Sequence, residues 1–395
     1  METKKQFDTK KFKTRTLFLD RSNGSVDGVF LTAIDVGFSG VKVFSQNFVG
    51  VFPSFAKRLD GELVGTPAPE NIIYKDLATG KKWLVGEAAQ NDVAQDDTTI
   101  SEKVISGRQR YDDPMFLVLV RTGLGLGFGK AEYGEPAGKP VYVQTGLPPK
   151  YMEDMKNDTH KLISAIAGHH RFTLQVGQAP ERTFDFTVLK ENVDVMPQPK
   201  GTLFSVAMNS MHRFIPESPE YFKKNVLVID VGYVTLDIFP IRNSRAVEEQ
   251  TIEDLSMKEV LKRTIEKIKE VYDTNISLVG FQKCLGDGYF KLYDKFSAKN
   301  QPFGELLEAS NREVCDEALE RIGGLFHLYE YPYIVVTGGA GAAWNGMIRE
   351  KFKGLEGLTI INGNQNDERI AFLFANVRGY FMFLYNRVSA KEAKR

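Results

Sequence analysis

The chain predicts an α/β fold of two domains around a cleft, and three observations carry that prediction. Apolar strand-like runs alternate with helical stretches, as in α/β proteins. At 395 residues, the chain exceeds the length at which one hydrophobic core usually stops growing. The stretch "LTAIDVGFSGVKVFSQ" at 31–46 is also built like "VLVIDVGYVTLDIFPI" at 226–241. Each is an apolar strand ending in Asp-Val-Gly, followed by a tight turn and a second strand.

Composition narrows the function classes. Lys+Arg (51) balance Asp+Glu (51), so no overall basic field holds nucleic acid, and any DNA contact is local or goes through a partner. Two cysteines, Cys284 and Cys315, and five histidines make neither a disulfide framework nor a structural zinc site. No window approaches the roughly 18 apolar residues of a membrane span. The basic start "METKKQFDTKKFKTRTLFLD" offers only Leu17, Phe18 and Leu19 as a hydrophobic region, too short for a signal peptide. A cytoplasmic protein is expected. Residues 1–30 read as a flexible extension, with a basic arm touching a partner or neighbouring subunit as the alternative.

The expected strands are "LTAIDV", "VKVFSQ", "PVYVQTGL", "FDFTVLK", "NVLVIDV", "TLDIFPI", "YIVVTGG" and "GLTIIN". A helix is expected over 256–273, where Ser256 and Glu259 have capping-box spacing and Met257, Val260, Leu261, Ile265, Ile268 and Tyr272 share a face. Further helices are expected over 305–327, 201–213 and, near the C-terminus, 367–387. The glycine-rich "GLGLGFGKAEYG" at 123–134 fits neither a Walker loop, which needs glycine at Leu124 and Ser or Thr at Ala131, nor a G-x-G-x-x-G pattern. It reads as a surface loop.

The repeated hairpins carry the chemistry. The glycine two residues after each aspartate, Gly37 or Gly232, lets the backbone turn and approach a ligand closely, so that turn N–H groups can face phosphate oxygens. Each hairpin mouth also holds a carboxylate, Asp35 or Asp230, where a hydrated Mg²⁺ is the natural counterion. Lys42 adds positive charge near the first turn. A third turn, Gly338-Gly339-Ala340, ends a buried strand and leads into a helix; its flat backbone suits a base or ribose.

With these residues in view, the chain resembles the actin-like ATPases, the fold shared by actin, Hsp70 and sugar kinases. Asp35-x-Gly37 with Lys42 resembles the phosphate-1 hairpin, Asp230-x-Gly232-x-x-Thr235-x-Asp237 the phosphate-2 hairpin, and Gly338-Gly339-Ala340 the adenosine turn. "VQTGLPPKYM", "DVMPQPKGTLFSV" and "VLVIDVGYVTLDI" resemble the ParM plasmid-segregation branch in order and spacing. The resemblance implies two α/β domains with the nucleotide at the hinge: residues 31–198 plus a returning C-terminal helix at 365–388, and residues 199–364, with 389–395 as a tail. It implies ATP, or GTP in its place, with Mg²⁺, and a homopolymeric filament coupled to DNA through an adaptor at a centromere-like site. No direct nucleic-acid or membrane contact is implied.

Carried over, Asp35 and Asp230 hold the magnesium and its waters, and Gly37, Ser39, Gly40, Lys42, Gly232 and Thr235 line the phosphates. Gln198 stands where ParM proteins have a glutamate that positions the attacking water and actin has a glutamine. A neutral amide orients water without taking its proton, which implies slow hydrolysis by positioning. Glu266 and Lys267 fall near the expected ribose and base contacts. Phe38, Tyr233 and Val234 are bulkier than the family's usual turn residues, which shifts phosphate contacts to main chain. A small-molecule kinase of the same fold would need a carboxylate base that no local signature selects. An MreB-like scaffold would be expected to carry an N-terminal amphipathic membrane helix, and none is visible.

Overall fold

A computed structural model describes residues 7–61, 65–97, 107–130, 138–153, 157–243 and 245–392. Two six-stranded sheets repeat one topology. In the first, Phe30–Val36 pairs antiparallel with Gly40–Ser45, which pairs with Phe48–Pro53. On its other side Phe30–Val36 runs parallel to Val141–Leu147, and that strand to Val193–Pro197. In the second, Val226–Val231 pairs antiparallel with Leu236–Arg242, which is edged by Arg245–Ala246 and Gln250–Ile252. Parallel neighbours Tyr333–Thr337 and Thr359–Asn362 complete it. The central strands are buried along their length, as expected where helices cover both faces of a sheet.

After its last strand each repeat sends out a helix, Gln198–Ala207 from the first and Ala375–Glu392 from the second. These two helices pack on each other, and the second also lies against Phe30–Val36 and Val141–Leu147. They meet where Gly379 passes Gly201 so closely that a Cβ on Gly379 would stand 1.7 Å from the Gly201 carbonyl oxygen. The C-terminal helix lies against the strands of the first lobe and spans 375–392 rather than 365–388, with 372–374 forming a 3-10 turn before it. The helix expected over 201–213 spans Gln198–Ala207. Gln198 is thus its first residue.

Two other expectations change. Gly123, Gly125 and Gly127 lie inside the buried helix Pro114–Gly127, not in a surface loop; residues 131–134 fall outside the described residues. Close packing explains these glycines: a Cβ on Gly123 would meet Ile34 Cδ1 at 2.7 Å, and one on Gly125 would meet Leu174 Cδ1 at 2.9 Å. The N-terminal residues from 7 onward are built into the fold instead of forming a detached extension. Leu17–Asp20 is an edge strand on Phe48–Pro53, and Phe12 is buried in the core of the second lobe.

An antiparallel sheet in the first lobe (Arg182–Val188, Gly168–Val176, Ile72–Asp76, Lys82–Val85, Ala56–Arg58) carries a small projection toward the second lobe. There Gln90 Nε2 donates to Gln282 Oε1 (2.7 Å), and Ser277 N–H donates to the Gln95 carbonyl (3.0 Å). The lobes are thus joined at the crossed helices and at this far end, with a cleft between.

Candidate functional site

Strand register places the charged groups. The aspartate ending each first strand has a fixed cross-strand partner: Asp35 opposes Lys42, and Asp230 opposes Asp237. Lys42 Nζ sits 2.8 Å from Asp35 Oδ2, and Gln198 Nε2 donates to Asp35 Oδ1 at 3.2 Å. Asp230 Oδ2 accepts from Asn376 Nδ2 (2.6 Å), while Asp237 accepts from the hydroxyls of Thr235 (2.9 Å) and Thr251 (2.6 Å). Asn376 also holds Thr202, tying the two crossed helices to the second hairpin.

Gly37 and Gly232 do not take left-handed φ angles. Close approach across the turn accounts for them: a Cβ on Gly37 would lie 2.9 Å from the Gly40 carbonyl oxygen, and one on Gly232 would lie 2.5 Å from that of Thr235. Gly338 does need its positive φ of 95°, and a Cβ there would be 2.5 Å from Asp230 Oδ1. The third turn is therefore pressed onto the second hairpin, and Ala340 N–H donates to the Val231 carbonyl. A Cβ on Gly339 would meet nothing, so that stretch of backbone is open.

Among the described residues, two cavities of the cleft meet at Ser39, Lys42, Tyr233, Gly339 and Leu373. One is lined by both hairpins and includes Asp35, Gly37, Gln198, Asp230, Gly232, Thr235 and Gly338. The other, the larger, holds Ala340 among more apolar walls. Three expected residues are not brought in. Gly40 lies beneath Thr14 and Val51, so it lines neither cavity. Glu266 is exposed, and Lys267 pairs with Glu313 on the neighbouring helix Gly304–Leu325 (2.6 Å). The register of the helix Met257–Tyr272 turns both away from the cleft. Nor does Ser256 close a capping box: its side chain makes no cap hydrogen bond.

The sequence reading missed Arg110 and Asn376. Arg110 is 3% exposed, donates to the Gly37 carbonyl (3.1 Å) and lies over the Phe38 ring. Among the described residues it has no carboxylate within ion-pair distance, and burial pulls its pKa below the usual guanidinium value. On the opposite side, burial pushes Asp230 up to about 6 and Asp237 up to about 7. Neither carboxylate has a cationic group within ion-pair distance among the described residues. A buried cation and buried carboxylates without counterions cost free energy, which protonation of the carboxylates or a bound group of opposite sign relieves.

Residues 33–201 match the family described as "Actin like proteins N terminal domain". No protein of curated function matches the chain by sequence. Among solved structures, the chain is similar to a pCBH ParM non-polymerisable quadruple mutant, at 17% identity and TM-score 0.69 over 90% of this chain and 99% of that one. It is similar to the subunit of a 15-stranded ParM filament from Clostridium botulinum, at 17% identity and TM-score 0.66 over 91% and 99%. An archaeal actin homolog matches at 16% identity and TM-score 0.62 over 91% and 100%.

Proposed function

We propose that this chain, whose fold is that of the actin-like proteins, is a nucleoside triphosphatase that assembles into filaments in a nucleotide-dependent way, with DNA segregation through an adaptor protein as its role. The observation that carries the reading is the pattern of uncompensated charge in the cleft. Arg110 favours an anion between the hairpins, and Asp230, which lines the same cavity as Asp35, favours a cation beside it. A magnesium–polyphosphate supplies both. Two carboxylates cannot cage a metal, but they suit a hydrated Mg²⁺ that takes its remaining ligands from water and phosphate oxygens. When bound, the ion would neutralise charge on the phosphates. ATP is the expected nucleotide, with GTP the alternative.

The chain's own residues divide the remaining work. Backbone N–H groups of the two turns and the Lys42 ammonium bind phosphate oxygens, and Arg110 neutralises charge that builds on the terminal one. Gln198 is held through Asp35 at the start of its helix. From there its amide orients the attacking water without acting as a base. Because each hairpin belongs to a different lobe, a triphosphate that touches both favours closure, and loss of the terminal phosphate releases that preference. Self-association is supported by filaments among the similar structures. Among the described residues, no helix is long and apolar enough to cross a membrane.

Light scattering and pelleting on adding Mg²⁺-ATP test the reading: sedimentable polymer with phosphate release is expected. Phosphorylation of an added metabolite with no polymer would overturn it. Within that assay, Gln198→Ala should slow phosphate release by about 10- to 100-fold and lengthen polymer lifetime, with nucleotide affinity nearly unchanged. Release at the parent's rate would remove Gln198 from the mechanism.

Protonation of Asp230 competes with the cation. The shift in melting temperature produced by Mg²⁺-ATP should therefore shrink as pH falls through about 6, the value to which burial raises Asp230. Thermal melts at fixed ligand from pH 7.5 to 5.5 check it; a shift constant with pH would mean that Asp230 does not meet the ion.

A further inference from the structure

The N-terminal segment crosses the cleft. Its beginning is fastened to the second lobe, where the Thr9 hydroxyl donates to the Leu285 carbonyl (2.8 Å) and the Phe12 ring is buried in that lobe's core. Its end is fastened to the first lobe. Leu17–Asp20 pairs with Phe48–Pro53, Thr16 N–H donates to Glu87 Oε2 (2.8 Å), and Lys13 Nζ lies 3.6 Å from Glu87 Oε1. Between these anchors, Lys11–Arg15 and Leu17 form a wall of the larger cavity. Across from them stand Met257, Ala340 and Phe372, apolar groups suited to the faces of an aromatic ring. This cavity meets the phosphate end at Ser39, Lys42 and Gly339.

We propose that Lys11–Leu17 form the outer wall of the nucleoside subsite, and that residues 7–20 strap the lobes together across it, so that nucleotide leaves only when the strap releases one lobe. The inference rests on the proposed reading of the cleft and adds a control on exchange. A chain segment tied to both lobes resists their separation directly, whatever the hinge helices do. The segment's basic residues also place positive charge at the mouth through which an anionic nucleotide must pass.

The test uses the full chain, loaded with a fluorescent ATP analogue and Mg²⁺ below the polymerising concentration, then chased with unlabelled ATP in a stopped-flow instrument. Phe12→Ala should speed dissociation about tenfold and Thr9→Ala about threefold, with Phe12→Leu, which keeps an apolar anchor, falling between the parent and Phe12→Ala. Circular dichroism and cooperative melting establish that each variant is folded; if Phe12→Ala is not, the Thr9→Ala rate decides. Folded variants that release at the parent's rate overturn the strap alone. A parent that binds no nucleotide overturns the reading of the cleft together with the strap.

Discussion

Asp230→Asn is expected to remove Mg²⁺-dependent hydrolysis, lowering kcat by about 100-fold or more, while leaving the nucleotide-free protein as stable at pH 7.5 as the parent or more so. The split follows from one buried group. Asp230 is 4% exposed, and burial raises its pKa from 3.8 to about 6. A carboxyl that binds its proton more tightly in the folded chain contributes stability fully below about pH 4. That contribution is lost as pH rises through 6, so at pH 7.5 the ionised group opposes folding. An amide of the same shape lifts that cost and, by turning its oxygen toward Asn376 Nδ2, keeps the hydrogen bond seen at 2.6 Å. It cannot replace the charge that balances a divalent cation. Thermal melts with and without Mg²⁺-ATP, beside a phosphate-release assay, check both halves. If Asp230→Asn melts well below the parent without ligand, the carboxylate is structural. If it keeps the full Mg²⁺-dependent shift, the ion is bound elsewhere.

What could be read from the sequence was whatever adjacent residues decide. The hairpins were legible because alternation, Asp-Val-Gly and the return strand all lie within about sixteen residues, and the structure brings Asp35, Gly37, Ser39, Lys42, Gln198, Asp230, Gly232 and Thr235 to the first cavity. Arg110 was not legible, since its importance comes from the Gly37 carbonyl that it meets in space. Asn376 was hidden for the same reason, as it reaches Asp230 only because the C-terminal helix returns between the lobes. One local signal was available and unused: Asp113 followed by Pro114 and an apolar run marks a helix start, and the Asp113 side chain does cap Met115 N–H. Reading it would have turned the glycines at 123–127 from loop to helix. The N-terminal segment was misjudged by composition. Its lysines suggested a solvated arm, whereas Phe12 and Leu17–Asp20 decide its path.

The crossing of the two hinge helices sets a test in which local propensity and packing predict opposite signs. Gly379 lies in the interior of Ala375–Glu392, where replacing glycine by alanine ordinarily stabilises a helix by about 0.8–1 kcal/mol. At this position the new methyl would stand 1.7 Å from the Gly201 carbonyl oxygen and 2.5 Å from its carbon, backbone atoms that no side-chain rotation moves aside. The helices must separate, and overpacking of that kind costs about 3 kcal/mol or more. Packing therefore wins, and Gly379→Ala should lower the melting temperature of the nucleotide-free chain by about 3–5 °C. Gly346, helical and exposed with nothing within 4 Å of a built Cβ, is the internal control; Gly346→Ala should raise stability by about 0.5–1 kcal/mol. The same separation should weaken nucleotide binding, because Asn376, one turn earlier on that helix, holds Asp230 in the cleft. Equal stabilisation by both substitutions would mean that the helices do not touch at Gly201 and Gly379, and the two lobes would then have no close-packed hinge for a bound triphosphate to work against.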